Sequence, residues 1–324
     1  AANDAGTGLL GNYTVTLNQG TLTVTQRDLV ITPADKTKIY GDVFVAFTGT
    51  ITGIQAGDVI TATYTSLGAP STAIVGTYDI NATLNDPGGK LANYTIVLNI
   101  GTLTVDPRTL VVSPDNQTKI YGDTFSAYTA ILNGIQNGEN ITVNYFSAGE
   151  PATAAVGSYP ITVTLNDPNG VLSNYDITLN TATLTVTRRP LIVTPDNKAK
   201  VFGTTFTAFT GTVFGLQAGD IITETYASTG APAAAVAGTY PITVTLTDLG
   251  GKLSNYAVTL NTGTLTVGVN ILTITAENKT IVYGDPDPAF TYTYAGFQGS
   301  DTPAVIDTPP TCVVAVAHNA VGTY

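Results

Sequence analysis

The sequence predicts an all-β protein built from tandem domains of 81 residues, and three observations support this. Period-2 alternation of apolar and polar residues runs through most of the chain, as half-buried strands require. Threonine, which favours strands, is abundant, and helical periodicity is never sustained for more than about one turn. Short motifs return at intervals of 81 residues. We expect each domain to be a small β-sandwich, Ig-like or β-grasp-like, and the tandem copies to form an elongated rod.

The repeat is plainest around one glycine. Lys38-Ile39-Tyr40-Gly41-Asp42 returns 81 residues later at 119–123, and in altered form at 200–204 and 281–285. An Asn-Tyr pair and a Gly-Thr-Leu-Thr-Val segment recur at the same interval. The matches define the end of a repeat at 1–26, complete repeats at 27–107, 108–188 and 189–269, and the beginning of a repeat at 270–324. Units of this size are small independent domains rather than coils of a solenoid.

Alternation predicts six or seven strands in each repeat. In the first repeat they cover Leu29–Thr32, Lys38–Tyr40, 45–52, 59–65, 77–84, 94–98 and 102–105. Pro33 closes the first strand and is tolerated only at a sheet edge. The loop Gly53–Asp58 holds one helical turn at most. The short turn Asn99-Ile100-Gly101 predicts a tight hairpin between the last two strands.

The recurring tyrosines are expected in the core. Tyr78, Tyr159 and Tyr240 alternate with aliphatic residues, and so do Tyr94, Tyr175 and Tyr256. We expect some of their hydroxyls to bond backbone near a strand end.

Only two residues separate one repeat from the next. The junctions are Thr25-Gln26, Asp106-Pro107, Thr187-Arg188 and Gly268-Val269. Because no Gly/Ser linker intervenes, neighbouring domains are not expected to swing widely, which is why a semi-rigid rod is predicted.

Composition excludes several classes of protein. The net charge of −11 argues against nucleic-acid binding, and no apolar run is long enough to insert in a membrane. One cysteine, Cys312, and one histidine, His318, cannot build a zinc site or a disulfide framework within the chain. Both lie in the incomplete last repeat. We therefore predict no enzyme, no catalytic or cofactor-binding residue, no metal ligand and no cofactor.

Acidic residues recur in loops, and calcium binding was weighed against a role in turns. The sets are Asp58, Glu139, Asp220 and Asp301; Asp42, Asp123 and Asp285; and Asp86, Asp167 and Asp248. Calcium prefers such oxygen clusters, but no known calcium-loop spacing is present. The third complete repeat has four basic and four acidic residues, so it keeps no surplus of acid for a metal. Turn-forming and solubilising aspartate is the preferred interpretation.

The repeat resembles a known family. The Leu-x-[Val/Ile]-[Thr/Ser]-Pro opening, the Tyr-Gly-Asp segment, Gly-x-Tyr-x-Ile and the closing Asn-Tyr-x-[Ile/Val]-x-Leu are similar to MBG repeats of the YGX type. Residues 283–290 match especially closely, whereas Phe202 and Thr204 depart from the pattern. The resemblance covers essentially the whole chain. It implies tandem β-domains of an extracellular bacterial surface protein or adhesin, and it supplies no catalytic residues.

The predicted function is structural: a rigid stalk, fibre or filament on a bacterial surface. The alternative is an adhesin whose repeats bind glycans or other surface ligands directly, which would need exposed aromatic clusters at one edge of each repeat. The expected partners are further repeats of a longer chain or other copies of this one.

The partial repeats allow two hypotheses. The chain opens with Ala1 rather than methionine, which suggests a processed or excised chain, and a window cut from a longer repeat protein would leave partial repeats. In the second hypothesis, residues 1–26 of one copy complete residues 270–324 of the next, which would build a head-to-tail filament.

Overall fold

The computed structural model describes Gly6 and residues 8–324; residues 1–5 and 7 of the predicted segment 1–26 lie outside the described part. The chain forms two compact units. Unit 1 comprises residues up to 114 together with 129–145 and 163–181, and unit 2 comprises 115–128, 146–162 and 182–324. Each unit holds one complete repeat with part of the second repeat, and unit 2 also holds the fourth.

The described residues form 23 strands and five short 3-10 helices. The first repeat has Arg27–Pro33 (β1), Lys36–Ile39 (β2), Gly49–Thr52 (β3), Thr61–Thr65 (β4), Gly76–Asn85 (β5), Tyr94–Leu98 (β6) and Gly101–Asp106 (β7). The second has Arg108–Pro114 (β8), Gln117–Ile120 (β9), Ala130–Asn133 (β10), Thr142–Phe146 (β11), Gly157–Asn166 (β12), Tyr175–Leu179 (β13) and Ala182–Thr187 (β14).

The third repeat has Arg189–Pro195 (β15), Lys198–Val201 (β16), Gly211–Phe214 (β17), Ile222–Ala227 (β18), Gly238–Asp248 (β19), Tyr256–Leu260 (β20) and Gly263–Gly268 (β21). The fourth has Thr273–Ala276 (β22) and Tyr292–Ala295 (β23), which pair antiparallel. The 3-10 helices are Leu9–Asn12, Leu91–Asn93, Leu172–Asn174, Leu253–Asn255 and Pro303–Val305.

The first and third repeats are two-sheet sandwiches. In the first, β1 lies between antiparallel β3 and parallel β6, and the second sheet has the order β2-β7-β5-β4. The third repeats this arrangement as β17-β15-β20 and β16-β21-β19-β18. Leu29 and Ile31 of β1 pack against Ile60, and Ala62 and Leu84 of the facing strands pack on this cluster. The predicted all-β fold of tandem repeats is therefore confirmed, in its sandwich form.

Seven strands form in each complete repeat, at the upper end of the prediction, but two details were wrong. Asn99-Ile100-Gly101 is not a hairpin, because β6 pairs with β1 while β7 pairs with β5 and β2, so this turn carries the chain from one sheet to the other. Pro33 ends a central strand rather than an edge strand. It is tolerated because pairing with β6 stops at Ile31, two residues before the proline.

The apolar alternation also fails on one strand. Ile177 and Leu179, expected inside, are exposed on β13, and the equivalent residues of β6 and β20 are exposed as well. These three strands each lie at the edge of their three-stranded sheet, so their inner faces are only partly covered. Gly53–Asp58, for its part, forms a turn without helix.

Residues 13–26 form no strand and are exposed. In the complete repeats the equivalent segments pair with β1, β5 and β2 or their counterparts, which precede them within the repeat. The sequence has no such strands ahead of residue 13.

Hydrophobic cores do not stop at the repeat boundaries. In unit 1, Tyr40 and Val105 of the first repeat form one buried cluster with Leu110, Ile141 and Tyr175 of the second. In unit 2, Tyr121 and Val186 of the second repeat form the equivalent cluster with Leu191, Ile222 and Tyr256 of the third. Each repeat thus completes its neighbour's core, which is a stronger junction than a short linker alone supplies.

Candidate functional site

The site that recurs in this chain is the joint between successive repeats, and its first half is the Tyr-Gly-Asp turn. Residues 40–42 follow β2, and the Asp42 N–H donates to the Ile39 carbonyl at 3.1 Å. Gly41 has φ of 88°, in the left-handed region that favours glycine. A Cβ at Gly41 would also lie 2.4 Å from Cγ of Gln136, so the next repeat leaves no room for a side chain.

A buried lysine holds this turn against a neighbouring loop. The Lys38 ammonium donates to the carbonyls of Asp42 at 2.9 Å, Pro70 at 2.5 Å and Ala69 at 3.4 Å. Lys119 and Lys200 make the same three contacts in their repeats. Three carbonyl acceptors match the three donors of an ammonium, which is why a charge is tolerated in this buried position.

The second half of the joint is an acceptor face on the following repeat, formed in the second repeat by Arg108, Gln136, Glu139, Asn174 and Tyr175. The Glu139 carboxylate accepts hydrogen bonds from the hydroxyls of both Tyr40 and Tyr175. The Tyr175 hydroxyl in turn accepts from the Gln136 N–H at 2.9 Å. The two tyrosine rings meet edge to face with centroids 5.5 Å apart. One carboxylate therefore joins tyrosines from two repeats.

Two further contacts fix the Tyr-Gly-Asp turn on the acceptor face. Arg108 pairs with the Asp42 carboxylate, and its Nε donates to the Tyr40 carbonyl at 2.6 Å. Buried Asn174 accepts the Val75 N–H at 2.9 Å through its side-chain oxygen. The turn is thus held at its backbone, its hydroxyl and its carboxylate.

Unit 2 contains the same joint between the second and third repeats. The Tyr121 hydroxyl donates to Asp220 at 3.0 Å, and the Tyr256 hydroxyl donates to the same oxygen at 2.5 Å. Arg189 pairs with Asp123 at 3.1 Å. Asn255 accepts the Val156 N–H at 2.9 Å. An aspartate here does what Glu139 does in unit 1.

The joint tyrosines resist ionisation. Burial and the hydrogen bond to Asp220 raise the pKa of Tyr256 to about 12, and the same causes raise the pKa of Tyr121. In unit 1, burial and Glu139 raise the pKa of Tyr40 and Tyr175. Burial lowers the pKa of Lys38 and Lys119. The tyrosines act as neutral hydrogen-bond donors, since an ionised phenol cannot donate to a carboxylate.

The third joint departs from this pattern in three places at once. Phe202 replaces the tyrosine, Thr204 replaces the aspartate, and Asn270 stands where Arg108 and Arg189 stand. Gly203 keeps the left-handed φ of 85°, and a Cβ there would lie 2.4 Å from Cβ of Gln298. The two partners of the ion pair are therefore lost together, while the close approach of glycine to glutamine is kept.

The aspartates considered for calcium have other contacts. Asp86, Asp167 and Asp248 accept the N–H of Leu91, Leu172 and Leu253, which is the predicted turn-forming role. In the complete repeats the other two sets accept tyrosine hydroxyls or pair with arginine, roles that the sequence analysis missed. Within residues 6 and 8–324, no three His, Cys, Asp or Glu side chains are grouped as a metal site requires.

Cys312 and His318 are not brought together. His318 Nε2 lies 2.6 Å from Oδ1 of Asp287, and its ring lies 5.8 Å from that of Tyr324. Cys312 is half-buried with a free thiol. Among the described residues the structure therefore forms no nucleophile–base pair from these two side chains.

The core tyrosines are confirmed. Tyr94, Tyr175 and Tyr256 are buried. Tyr78, Tyr159 and Tyr240 are half-buried, and each hydroxyl donates at 2.9 Å to the carbonyl four residues earlier. The signal for the joint was in the spacing: Asp42 and Asp123 are each followed by arginine 66 residues later, and where Thr204 removes the acid, Asn270 removes the base.

No helix in the described part of the chain has the length and apolar character needed to cross a membrane. No curated protein matches the chain. Among solved structures, the I9–I11 tandem of titin is 13% identical, covering 74% of this chain and 99% of its own, with a TM-score of 0.23.

Two further structures are similar at the same low level. Drosophila N-cadherin EC1-3 is 10% identical, covering 74% of this chain and 99% of its own, with a TM-score of 0.23. InvD of Yersinia pseudotuberculosis is 13% identical, covering 86% and 82%, with a TM-score of 0.20. Likenesses at these TM-scores carry no conclusion about this chain.

The family model of the MBG domain (YGX type) matches residues 29–104, 110–185, 191–266 and 272–324. Its matches contain each Tyr-Gly-Asp turn and each acceptor face of the three complete repeats. This chain belongs to the MBG domain family of the YGX type.

Proposed function

We propose that this chain is a structural, non-enzymatic part of a bacterial surface protein, in which tandem repeats form an extracellular stalk, fibre or filament. The observation that carries the proposal is the joint. Within each compact unit the hydrophobic core continues from one repeat into the next, and the same tyrosine, carboxylate, arginine and asparagine contacts are used in both.

The joint is suited to resisting bending. Separating the Tyr-Gly-Asp turn from its acceptor face would leave Glu139 or Asp220 half-buried without its two tyrosine donors, and would expose the apolar cluster beneath. Leaving one buried polar group without its partner costs about 1–3 kcal/mol. A two-residue junction and this penalty together favour one angle between the repeats that share a joint.

An extracellular location on a bacterial surface is part of the proposal. It is supported by the family, whose YGX-type repeats the sequence resembles over essentially its whole length. The single cysteine has no disulfide partner in this chain, so the packing of each repeat does not depend on redox conditions.

The rival function, glycan binding by the repeats themselves, requires flat exposed aromatic faces. Each complete repeat has an aromatic pair after its second strand: Phe44–Phe47, Phe125–Tyr128 and Phe206–Phe209. The rings of each pair meet edge to face with centroids 4.9 Å apart and are half-buried, so they pack on each other rather than forming a platform. The exposed rings of Phe146 and Phe214 have threonine at the same positions of the first repeat. These features favour the structural role.

Immunogold electron microscopy of the source cells, with antibodies raised against the 324-residue chain, tests the proposal. We expect gold along stalks or fibres at the cell surface, and no retention of the purified chain on a glycan array. Label confined to the cell interior would contradict the proposed location. Specific retention by a glycan that depends on the aromatic pairs would favour the rival.

A further inference from the structure

The first repeat carries the same acceptor face as the second and third, but no Tyr-Gly-Asp turn covers it among the described residues. Its members are Arg27, Gln55, Asp58, Asn93 and Tyr94. Asn93, Arg27 and Gln55 are exposed, whereas their counterparts in the second and third repeats are buried or half-buried beneath the preceding repeat.

This uncovered face is already arranged for binding. The Tyr94 hydroxyl donates to Asp58 at 2.6 Å and accepts the Gln55 N–H at 2.9 Å, as Tyr175 does with Glu139 and Gln136. Arg27 Nη1 donates to Oε1 of Gln55 at 3.0 Å. Because only the exposed Arg27 and Gln55 side chains would have to move, binding a turn costs little reorganisation.

The fourth repeat presents an uncovered Tyr-Gly-Asp turn. Tyr283 is 71% exposed, whereas Tyr40 and Tyr121 are 3% and 2% exposed. Gly284 has φ of 91°, and the Asp285 N–H donates to the Val282 carbonyl at 3.0 Å, as in the covered turns. Among the described atoms nothing lies within 4 Å of a Cβ built at Gly284. The turn is therefore formed and open.

The apolar surfaces beside these two sites are complementary in kind. Leu22 and Val24 are 91% and 86% exposed, although Leu103 and Val105, at the same positions of the first repeat, are 0% and 1% exposed. The fourth repeat exposes Leu272 and Ile274, whose counterparts Leu29 and Ile31 are fully buried. One surface has the closing strand of a repeat, and the other has strands of a repeat that lacks it.

We infer that the acceptor face of the first repeat binds the Tyr283-Gly284-Asp285 turn of a second copy of this chain, and that residues 20–24 of the first copy complete the fourth repeat of the second. In this joint Arg27 pairs with Asp285, Tyr283 donates to Asp58, and Asn93 accepts a backbone N–H from the segment that ends at Tyr324. The inference rests on the proposed function, since it uses the joint that fixes neighbouring repeats.

Charge reversal in the full chain tests this contact. Sedimentation velocity should show concentration-dependent head-to-tail oligomers for the unaltered chain. Arg27→Asp and Asp285→Arg should each weaken association about a hundredfold, because like charges then face each other in a partly desolvated joint. Mixing the two variants should restore oligomers, since each then meets a partner of opposite charge. Circular dichroism should show unchanged strand content in both variants.

A matched control uses the covered face. Asn93→Ala should weaken association, whereas Asn174→Ala, inside the existing joint, should lower stability without changing the association constant. A chain that stays monomeric at every concentration, or variants whose mixture does not regain oligomers, would overturn the inference. If Asn174→Ala still lowers stability in a monomeric chain, the joint and the proposed structural function stand while docking of a second copy fails.

Discussion

Tyr40 and Tyr175 lie 135 positions apart in the sequence, yet their rings meet edge to face at 5.5 Å and their hydroxyls share the carboxylate of Glu139. Tyr40 ends the second strand of one repeat, and Tyr175 begins the sixth strand of the next. Tyr121, Tyr256 and Asp220 repeat the relationship in unit 2. This shared carboxylate is the chemical centre of the joint, and the predictions below concern its parts.

Removing the charge of the shared carboxylate should destabilise the joint. We expect Asp220→Asn to lower the free energy of unfolding by about 1–3 kcal/mol, because an amide accepts hydrogen bonds from two tyrosine hydroxyls less well than a carboxylate does. Urea denaturation measures the loss. Asp58→Asn is the matched control, since Asp58 accepts the hydroxyl of Tyr94 alone among the described tyrosines, and its loss should be smaller. Equal losses would contradict a bridging role for Asp220.

The glycine of the turn should matter most where a second repeat covers it. Gly41→Ala must adopt a left-handed φ, which costs about 1 kcal/mol, and it must also displace Gln136, which adds about 1–3 kcal/mol. Gly284→Ala has the same φ, but the described atoms leave open space around it, so it should cost only the first amount. Denaturant unfolding of both variants checks this difference. A cost at Gly284 as large as that at Gly41 would show that backbone strain alone requires the glycine.

The third joint should accept the ion pair that it lacks. Thr204→Asp and Asn270→Arg restore the residues found at the other two joints, and the pair should be worth about 0.2–1 kcal/mol because Asp42 and Asp123 are both about half exposed. A double-mutant cycle of unfolding free energies isolates this coupling from the effects of the single changes. A coupling energy of zero would mean that the two positions do not face each other across the joint.

Alkaline pH should loosen the joints before the rest of the fold. The pKa of Tyr256 is raised from 10.0 to about 12, so the folded state holds a proton that the unfolded state loses. Its contribution to stability is therefore complete below pH 10 and is lost as the pH rises toward about 12. Tyrosinate absorbance and denaturation midpoints follow the change. The Tyr256→Phe variant should lose this part of the alkaline destabilisation; an unchanged profile would contradict the assignment.

The sequence predicted the repeats, the seven strands and the buried tyrosines because each depends on spacing and on alternation within one segment. It failed where partner strands decide the outcome. Asn99-Ile100-Gly101 looks like a hairpin turn by length, but only the pairing of β6 with β1 shows that the chain changes sheets. Ile177 is apolar at an inward position, and its exposure follows from lying on an edge strand.

The joint was harder to predict because its members come from two repeats. Glu139 and Asp220 were interpreted as residues of solubilising turns, since nothing local distinguishes a carboxylate that binds water from one that binds two tyrosines. The paired change of Thr204 and Asn270 is the one local clue, and it becomes informative only when the distance of 66 residues is known to bridge two repeats.

Amide hydrogen exchange at Val75 tests the central claim most directly, because the acceptor of the Val75 N–H is Asn174 of the following repeat. If successive repeats are fixed by the joint, this amide should be protected in the full chain. Asn174→Ala should abolish the protection at Val75 while Val156, which is held by Asn255, stays protected. Exchange of Val75 in the unaltered chain at the rate of an open loop would contradict the joint.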